Sequence, residues 1–132
     1  MRVVFDTNVL LSSTLWDGSV AQKLLFKLIK SDVKVFTSDE IGSEYEKVLK
    51  RDFGYSNEDI LNIREKIMVF LNLVLANEKV EAVKDDPDDN KVIECAIASS
   101  SDYIITYDKH LLNLKSFEKI KIITPEEAFG LI

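Results

Sequence analysis

Apolar and polar positions follow two rhythms along this chain, and the points where one gives way to the other divide it into elements. Val3-Val4-Phe5 is an unbroken apolar run, which predicts a strand covered on both faces, as in the middle of a parallel α/β sheet. Asp6-Thr7-Asn8 interrupts the run, and Val9-Leu10-Leu11 begins a short helix. Trp16-Asp17-Gly18 reads as a turn, after which Ser19 is placed to cap a helix over Val20 to Lys30 with Leu24, Leu25, Leu28 and Ile29 inward. Val33 to Thr37 is a predicted strand. Ser38, followed by Asp39 and Glu40, opens a helix to about Lys50 whose stripe is Ile41, Tyr45, Val48 and Leu49.

Beyond the break at Phe53-Gly54-Tyr55, Ser56 and Asp59 form a capping box for a long helix with the stripe Ile60, Ile63, Ile67, Phe70, Leu71 and Val74. A short extended piece within Leu73 to Ala76, or Lys79 to Val83, is the alternative for its end. The charged run Lys84-Asp85-Asp86-Pro87-Asp88-Asp89-Asn90 leads into a helix that turns Val92, Ile93, Ala96 and Ile97 inward. Tyr103-Ile104-Ile105-Thr106 is a second strand without polar alternation. Lys121 to Ile123 is the last, and Thr124-Pro125-Glu126-Glu127 starts a final helix with Pro at its first position. Strands alternating with helices predict an α/β fold.

Composition narrows the picture. A chain of 132 residues is expected to be one domain, residues 1–132, long enough to bury roughly two-thirds of its unfolded surface. Asp6 falls where a secretory signal needs apolar residues, and the most apolar stretch, Ile67 to Ala76, is too short to span a bilayer. A cytoplasmic protein with no membrane role is expected. Cys95 is the only cysteine and His110 the only histidine, which excludes an internal disulfide and a zinc site of clustered Cys and His. Cys95, on an apolar helix face, reads as a small core hydrophobe. The net charge of −6 argues against generic, charge-driven binding of nucleic acid but leaves room for a local basic strip.

The surplus carboxylates supply the candidate chemistry. Asp6 and Asp108 each stand just past a buried strand, where ligands bind in open parallel sheets. Glu44 falls within an inward helical stripe, and Asp89 opens the inward face of its helix. Taken singly, each has a plainer explanation: Asp6 and Asp108 as helix caps, Glu44 as a rim residue bending to water, Asp89 as a partner of the helix dipole. Together they are four acids able to converge at one sheet edge, and the sequence shows no matching set of inward Lys or Arg. Clustered carboxylates repel and stay ionised only around cations. Ligation by oxygen alone selects hard ions, Mg²⁺ or Mn²⁺, and such sites favour phosphodiester hydrolysis.

At these residues the sequence resembles the PIN-domain ribonucleases, in particular small single-domain toxin components of toxin-antitoxin pairs. The resemblance is carried by Val3-Val4-Phe5-Asp6-Thr7-Asn8-Val9-Leu10, by Glu44 in Ser43-Glu44-Tyr45-Glu46-Lys47-Val48-Leu49, by Asp86-Pro87-Asp88-Asp89-Asn90 entering a helix that ends Cys95-Ala96, and by Ile104-Ile105-Thr106-Tyr107-Asp108 followed by Leu111-Leu112. It implies a three-layer α/β/α fold with a mainly parallel sheet of about four to five strands, the first strand central. It further implies a metal held by Asp6, Glu44, Asp89 and Asp108, with Asn8 and Thr106 close by, and cleavage of single-stranded RNA. Which of Asp86, Asp88 and Asp89 is the ligand stays open. A homodimer held inactive by a small antitoxin is the implied assembly. Lys23, Lys27, Lys50, Arg51 and Lys109 are the candidates for a basic strip that RNA follows.

Other classes fit less well. A receiver-like phosphoryl-accepting domain needs adjacent acids at the first strand exit and a Lys after the last strand, but Thr7-Asn8 and Thr124-Pro125 stand there. A phosphatase of the haloacid dehalogenase type needs Asp where Asn8 is. The remaining alternative is a PIN-fold module that binds RNA or protein without cutting, and the presence of all four acids argues against it.

Overall fold

The apolar strands and striped helices assemble as the alternation requires. The computed structural model describes residues 1–132. In chain order it contains β1 (Arg2–Phe5), α1 (Thr7–Leu15), α2 (Val20–Lys30), β2 (Lys34–Ser38), α3 (Asp39–Phe53), α4 (Asn57–Ile67) and β3 (Leu71–Val74). A 3-10 turn at Pro87–Asp89 precedes α5 (Asn90–Ala98), β4 (Tyr103–Ile105), α6 (Lys109–Leu114), β5 (Ser116–Phe117), β6 (Ile120–Ile123) and α7 (Pro125–Leu131).

The strands form one sheet in the order β3-β2-β1-β4-β6-β5. β1 pairs in parallel with both β2 and β4, in the registers Val3↔Val35 and Val3↔Tyr103, so it is central as its apolar run predicts. Only β5 is antiparallel, folding back on β6, and this two-residue strand raises the count to six. One face of the sheet turns Val3, Phe5, Val35, Leu71 and Ile105 toward a cluster with α1, α2, α4 and the Tyr45 and Leu49 side of α3. The other turns Val4, Phe36, Ile104 and Ile122 toward α5 and α6. Two covered faces make three layers, and each fully buried Leu, Ile or Phe contributes roughly 1.5–3 kcal/mol.

Local signals set the helix ends. Ser19, Ser38, Ser56 and Thr124 each accept a backbone N–H at a helix start, as their positions predict. Gly54, at φ 68°, closes α3 in the left-handed region, a conformation nearly free of cost only for glycine.

The structure departs from the predicted long helix after Ile67. There α4 stops, and Leu71–Val74 runs as a strand along β2 with Val35↔Leu71 and Ser38↔Val74 paired. The positions 67, 70, 71 and 74 suit a helix, but the open edge of β2 offers backbone partners, and Asn72 adds a side-chain bond to the Val35 carbonyl at 3.2 Å. Tertiary pairing overrides local periodicity in so short a segment. The stretch Lys79 to Val83 forms no strand. It is strapped to α5 instead, Val80 N–H donating to Glu94 (3.0 Å) and Val83 N–H to Asn90 (2.7 Å).

From β1 the chain winds outward through β2 to β3, then returns to the other side of β1 for β4 and β6. The winding reverses between β1 and β4. Beyond the carboxyl ends of these two strands the loops part and leave a crevice.

Candidate functional site

Asp6 follows β1 directly and caps α1, its Oδ1 accepting the Val9 N–H at 2.9 Å. Its other oxygen accepts a close hydrogen bond from the Thr106 hydroxyl. The Thr106 oxygen also accepts the Asp108 N–H at 2.9 Å. One fully buried threonine hydroxyl thus ties the exit of β1 to the exit of β4 and holds Asp6 and Asp108 at fixed separation. Asp108 caps α6, taking the N–H groups of His110 and Leu111 at 2.8 and 3.2 Å. Both cap assignments are correct, and neither accounts for a charge in this place.

Asp89 behaves differently. It stands at the start of α5 but makes no capping bond, and its Oδ2 is buried without a hydrogen-bond partner. It faces Asp108, and burial followed by that neighbouring charge pushes the Asp89 carboxyl up to about 7, with Asp86 and Asp6 adding to the effect. Asp6 is raised to about 6, chiefly by burial and then by Asp108 and Glu44, against the opposing hydrogen bonds from Thr106 and Val9. Two crowded carboxyl groups with ordinary values near 3.8 therefore titrate close to neutrality.

Asp6, Glu44, Asp89 and Asp108 line a single cleft of about 190 Å³ together with Thr7, Asn8, Asp86, Asp88, Lys91 and Val92. The predicted quartet thus shares one wall-to-wall space at the switch point of the sheet. Asn8 lies on its rim and Thr106 beneath it. Two residues beside the quartet, Lys91 and His110, carry no expectation from the sequence. Asp86, Asp89, Asp108 and His110 present ligand atoms that all lie within 4.8 Å of one another, and His110 Nδ1 is 3.9 Å from Asp86 Oδ2. Lys91 reaches across from α5 to form a close ion pair with Glu44. No matching set of basic residues accompanies the acids, but one ammonium, that of Lys91, stands among six carboxylates. A signal for it exists, since a Lys in the first turn of a helix opposes the helix dipole.

The basic candidates are dispersed, and none of the five lines the cleft. Lys109 adjoins Asp108 in sequence. Arg51 pairs with its neighbour Asp52 at 2.8 Å. Lys50 and Lys23 are exposed on α3 and α2. Lys27 is engaged elsewhere, donating to the Phe129 carbonyl at 3.0 Å and covering the Phe129 ring at 4.3 Å.

Whether a cation fits can be judged from the donors. Oδ2 of Asp89 and the hydroxyl of Thr7 are both buried without partners beside the cleft, and leaving such groups unpaired is costly. The surrounding set is carboxylate oxygen with one imidazole nearby, which suits a hard divalent ion. The residues present fit such an ion.

An acid-lined cleft at the reversal point of a parallel α/β sheet defines a class of protein that gathers charge where strands end. The PIN domain family profile matches residues 2–110, and the chain belongs to that family. Protein MJ1680 of Methanocaldococcus jannaschii is 29% identical over 142 aligned residues, spanning 96% of this chain and 88% of that protein. Among solved structures, VapBC2 from Rickettsia felis, bound to a DNA fragment from its promoter, superposes with a TM-score of 0.70 at 12% identity, covering 94% of this chain and 98% of that one. That likeness is one of fold. No helix is long and apolar enough to cross a membrane.

Proposed function

We propose that this protein is a divalent-metal-dependent endoribonuclease that cuts single-stranded RNA with Mg²⁺ or Mn²⁺, and that it serves as the toxin of a toxin-antitoxin pair. The observation that carries the reading is the convergence of Asp6, Glu44, Asp89 and Asp108 on one cleft at the β1/β4 switch point. Asp6, Asp89 and Asp108 would hold the ion, with Glu44 across the cleft and Asp86 and His110 within reach. When bound, the ion supplies a Lewis acid that activates water and stabilises the leaving oxygen of a phosphodiester.

The remaining work falls to the chain. Thr106 aligns the two acids, its hydroxyl donating to the Asp6 carboxylate, which favours the ionised form of Asp6, and its oxygen accepting the Asp108 backbone N–H. Burial of Asp6 and Asp89 makes their unpaired charge costly, so a cation entering the cleft removes a strain that is already there. Asn8, exposed on the rim, is placed to donate to a phosphate or base. RNA reaches a protein of net charge −6 along a local strip, for which Lys50, Arg51 and Lys109 remain candidates on α3 and α6. Lys27 drops out, because its ammonium is spent on α7. The fold likeness to a VapBC assembly supports an antitoxin partner, and the family resemblance supports a homodimer in the cytoplasm.

Digestion of a mixed RNA pool with Mg²⁺, Mn²⁺ or EDTA, comparing wild type with Asp6→Asn, tests the reading. Cleavage that needs metal and Asp6 is expected. Activity indifferent to EDTA, or equal in the variant, would overturn it, and RNA binding without cleavage would replace it with a non-cutting PIN module.

A further inference from the structure

Lys91 is the feature of the cleft that metal binding alone does not explain. It occupies the second position of α5, where the helix dipole disfavours a cation, and its side chain is only 19% exposed, against 40% for its partner Glu44. Ordering and partly desolvating a long ammonium side chain costs conformational and hydration free energy. A surface ion pair rarely returns that. Glu46 on the same helix is satisfied by Arg64 through two bonds of 2.7 and 2.6 Å outside the cleft, so α3 has another means of fixing its position. Glu44, held by Lys91, lies outside the tight group of ligand atoms formed by Asp86, Asp89, Asp108 and His110, as does Asp6.

We propose that Lys91 is a positioning residue that holds Glu44 against the cleft wall, away from the ion, and sets a fixed positive charge where an RNA phosphate enters. The inference rests on the metal-dependent nuclease reading of the same cleft. It predicts opposite effects on two ligands. A resident ammonium repels a divalent cation and withholds one carboxylate from it, while it attracts the phosphodiester. Metal affinity is thereby held below what six carboxylates could reach, and substrate is admitted to a cleft that would otherwise repel it.

The test is a Mn²⁺ titration by calorimetry without RNA, alongside steady-state cleavage of a single-stranded RNA oligonucleotide. For Lys91→Met the Mn²⁺ dissociation constant should fall by roughly tenfold, the size of one screened charge at a few ångströms. At the same time KM for RNA should rise about tenfold, with a smaller change in kcat. Lys91→Arg should restore both to within about threefold, because it keeps the charge. In a Glu44→Gln background the gain in Mn²⁺ affinity from Lys91→Met should shrink, since there is no carboxylate left to release. A purely structural role would weaken metal and RNA binding together and lower the melting temperature, which would overturn the proposal. Should Lys91→Met fail to fold, Lys91→Arg binding Mn²⁺ more than tenfold tighter or weaker than wild type would overturn it equally. Wild type that binds Mn²⁺ but is indifferent to the charge at position 91 removes this inference alone. Wild type that neither binds Mn²⁺ nor cuts RNA removes the nuclease reading and this inference with it.

Discussion

β1 and β2 lie side by side in the sheet and leave it in the same way: at the strand's end a side chain turns back to cap a helix. At β2 the cap is Ser38, fully buried, whose hydroxyl accepts the Ile41 N–H at 3.3 Å. At β1 it is Asp6, also buried, accepting the Val9 N–H at 2.9 Å. Two neighbouring exits thus solve one structural problem with different chemistry. The uncharged serine shows that the cap needs no ion, so the charge at Asp6 exceeds what the fold requires. The excess is also unfavourable in the metal-free protein, as its raised pKa shows. A residue can cap a helix and serve a site at once, and the pair separates the two roles.

The sharpest way to break the comparison is to exchange the chemistry at each exit. Asp6→Asn keeps a side chain that caps about as well as Asp but removes the charge. Cleavage should fall by at least about a hundredfold, the upper end of losses seen when even indirect supports of a metal are removed. Ser38→Asn, a cap for a cap at the neighbouring strand, should leave cleavage within about threefold in the same gel assay. Comparable losses at both positions would mean that the helix starts matter and the charge does not.

Stability should move the other way. The folded pKa of Asp6, about 6, lies above its ordinary 3.8, so the fold favours the protonated acid. That contribution is complete below pH 4, is lost as pH rises from about 4 through 6, and stays absent above. Asp89, at about 7, extends the decline toward neutrality. For Asp6 the shift corresponds to no more than about 3 kcal/mol. Asn also forfeits the bond from Thr106, so Asp6→Asn should stabilise the metal-free protein at pH 7.5 by on the order of 1 kcal/mol. Thermal melts in EDTA at pH 5 and 7.5 should show wild type losing stability across that range and Asp6→Asn losing less. Millimolar Mg²⁺ or Mn²⁺ should reverse the order by stabilising wild type more. Equal melting curves for both proteins would reduce Asp6 to a second Ser38.

The smallest expected effect sharpens the comparison without removing a charge. Thr106→Val deletes the hydroxyl that joins Asp6 to Asp108 while keeping a β-branched side chain in the core. Loss of a hydrogen bond that favours the ionised acid should move the acidic limb of the pH–rate profile upward and lower the rate near neutrality by roughly tenfold. A profile that keeps its midpoint would show that the buried threonine is packing only.

Most of the architecture was readable from residue pattern because it depends on burial: Val3-Val4-Phe5 and Tyr103-Ile104-Ile105 are apolar throughout since each is covered on both faces. The third strand was not, because Ile67, Phe70, Leu71 and Val74 satisfy a helical period, and the partner that makes them a strand lies more than thirty residues earlier in β2. Asp6, Asp89 and Asp108 stood out by their positions at element ends and Glu44 by its place in an inward helical stripe, and all four line one cleft. Lys91 and His110 did not stand out, and the choice among Asp86, Asp88 and Asp89 stayed open, since a charged loop and the first turn of a helix look the same in sequence whether they face water or a cleft. Only the approach of α3 to α5 brings Lys91 to Glu44.

The bond between Thr106 and Asp6 spans 100 residues of sequence, and this sets when the cleft can exist. At synthesis rates of about 5–20 residues per second, Asp6 waits roughly 5–20 s between leaving the peptidyl-transferase centre and the appearance of its partner. During that interval β2 can join β1 and β3 can join β2, but the other edge of β1 stays open and Asp6 lacks Thr106 and Asp108, which follow β4. Long-range parallel pairing is also slow to form once both strands are present. A nascent chain of this kind carries no assembled centre, so whatever chemistry the mature cleft performs begins only after nearly all of the fold is in place.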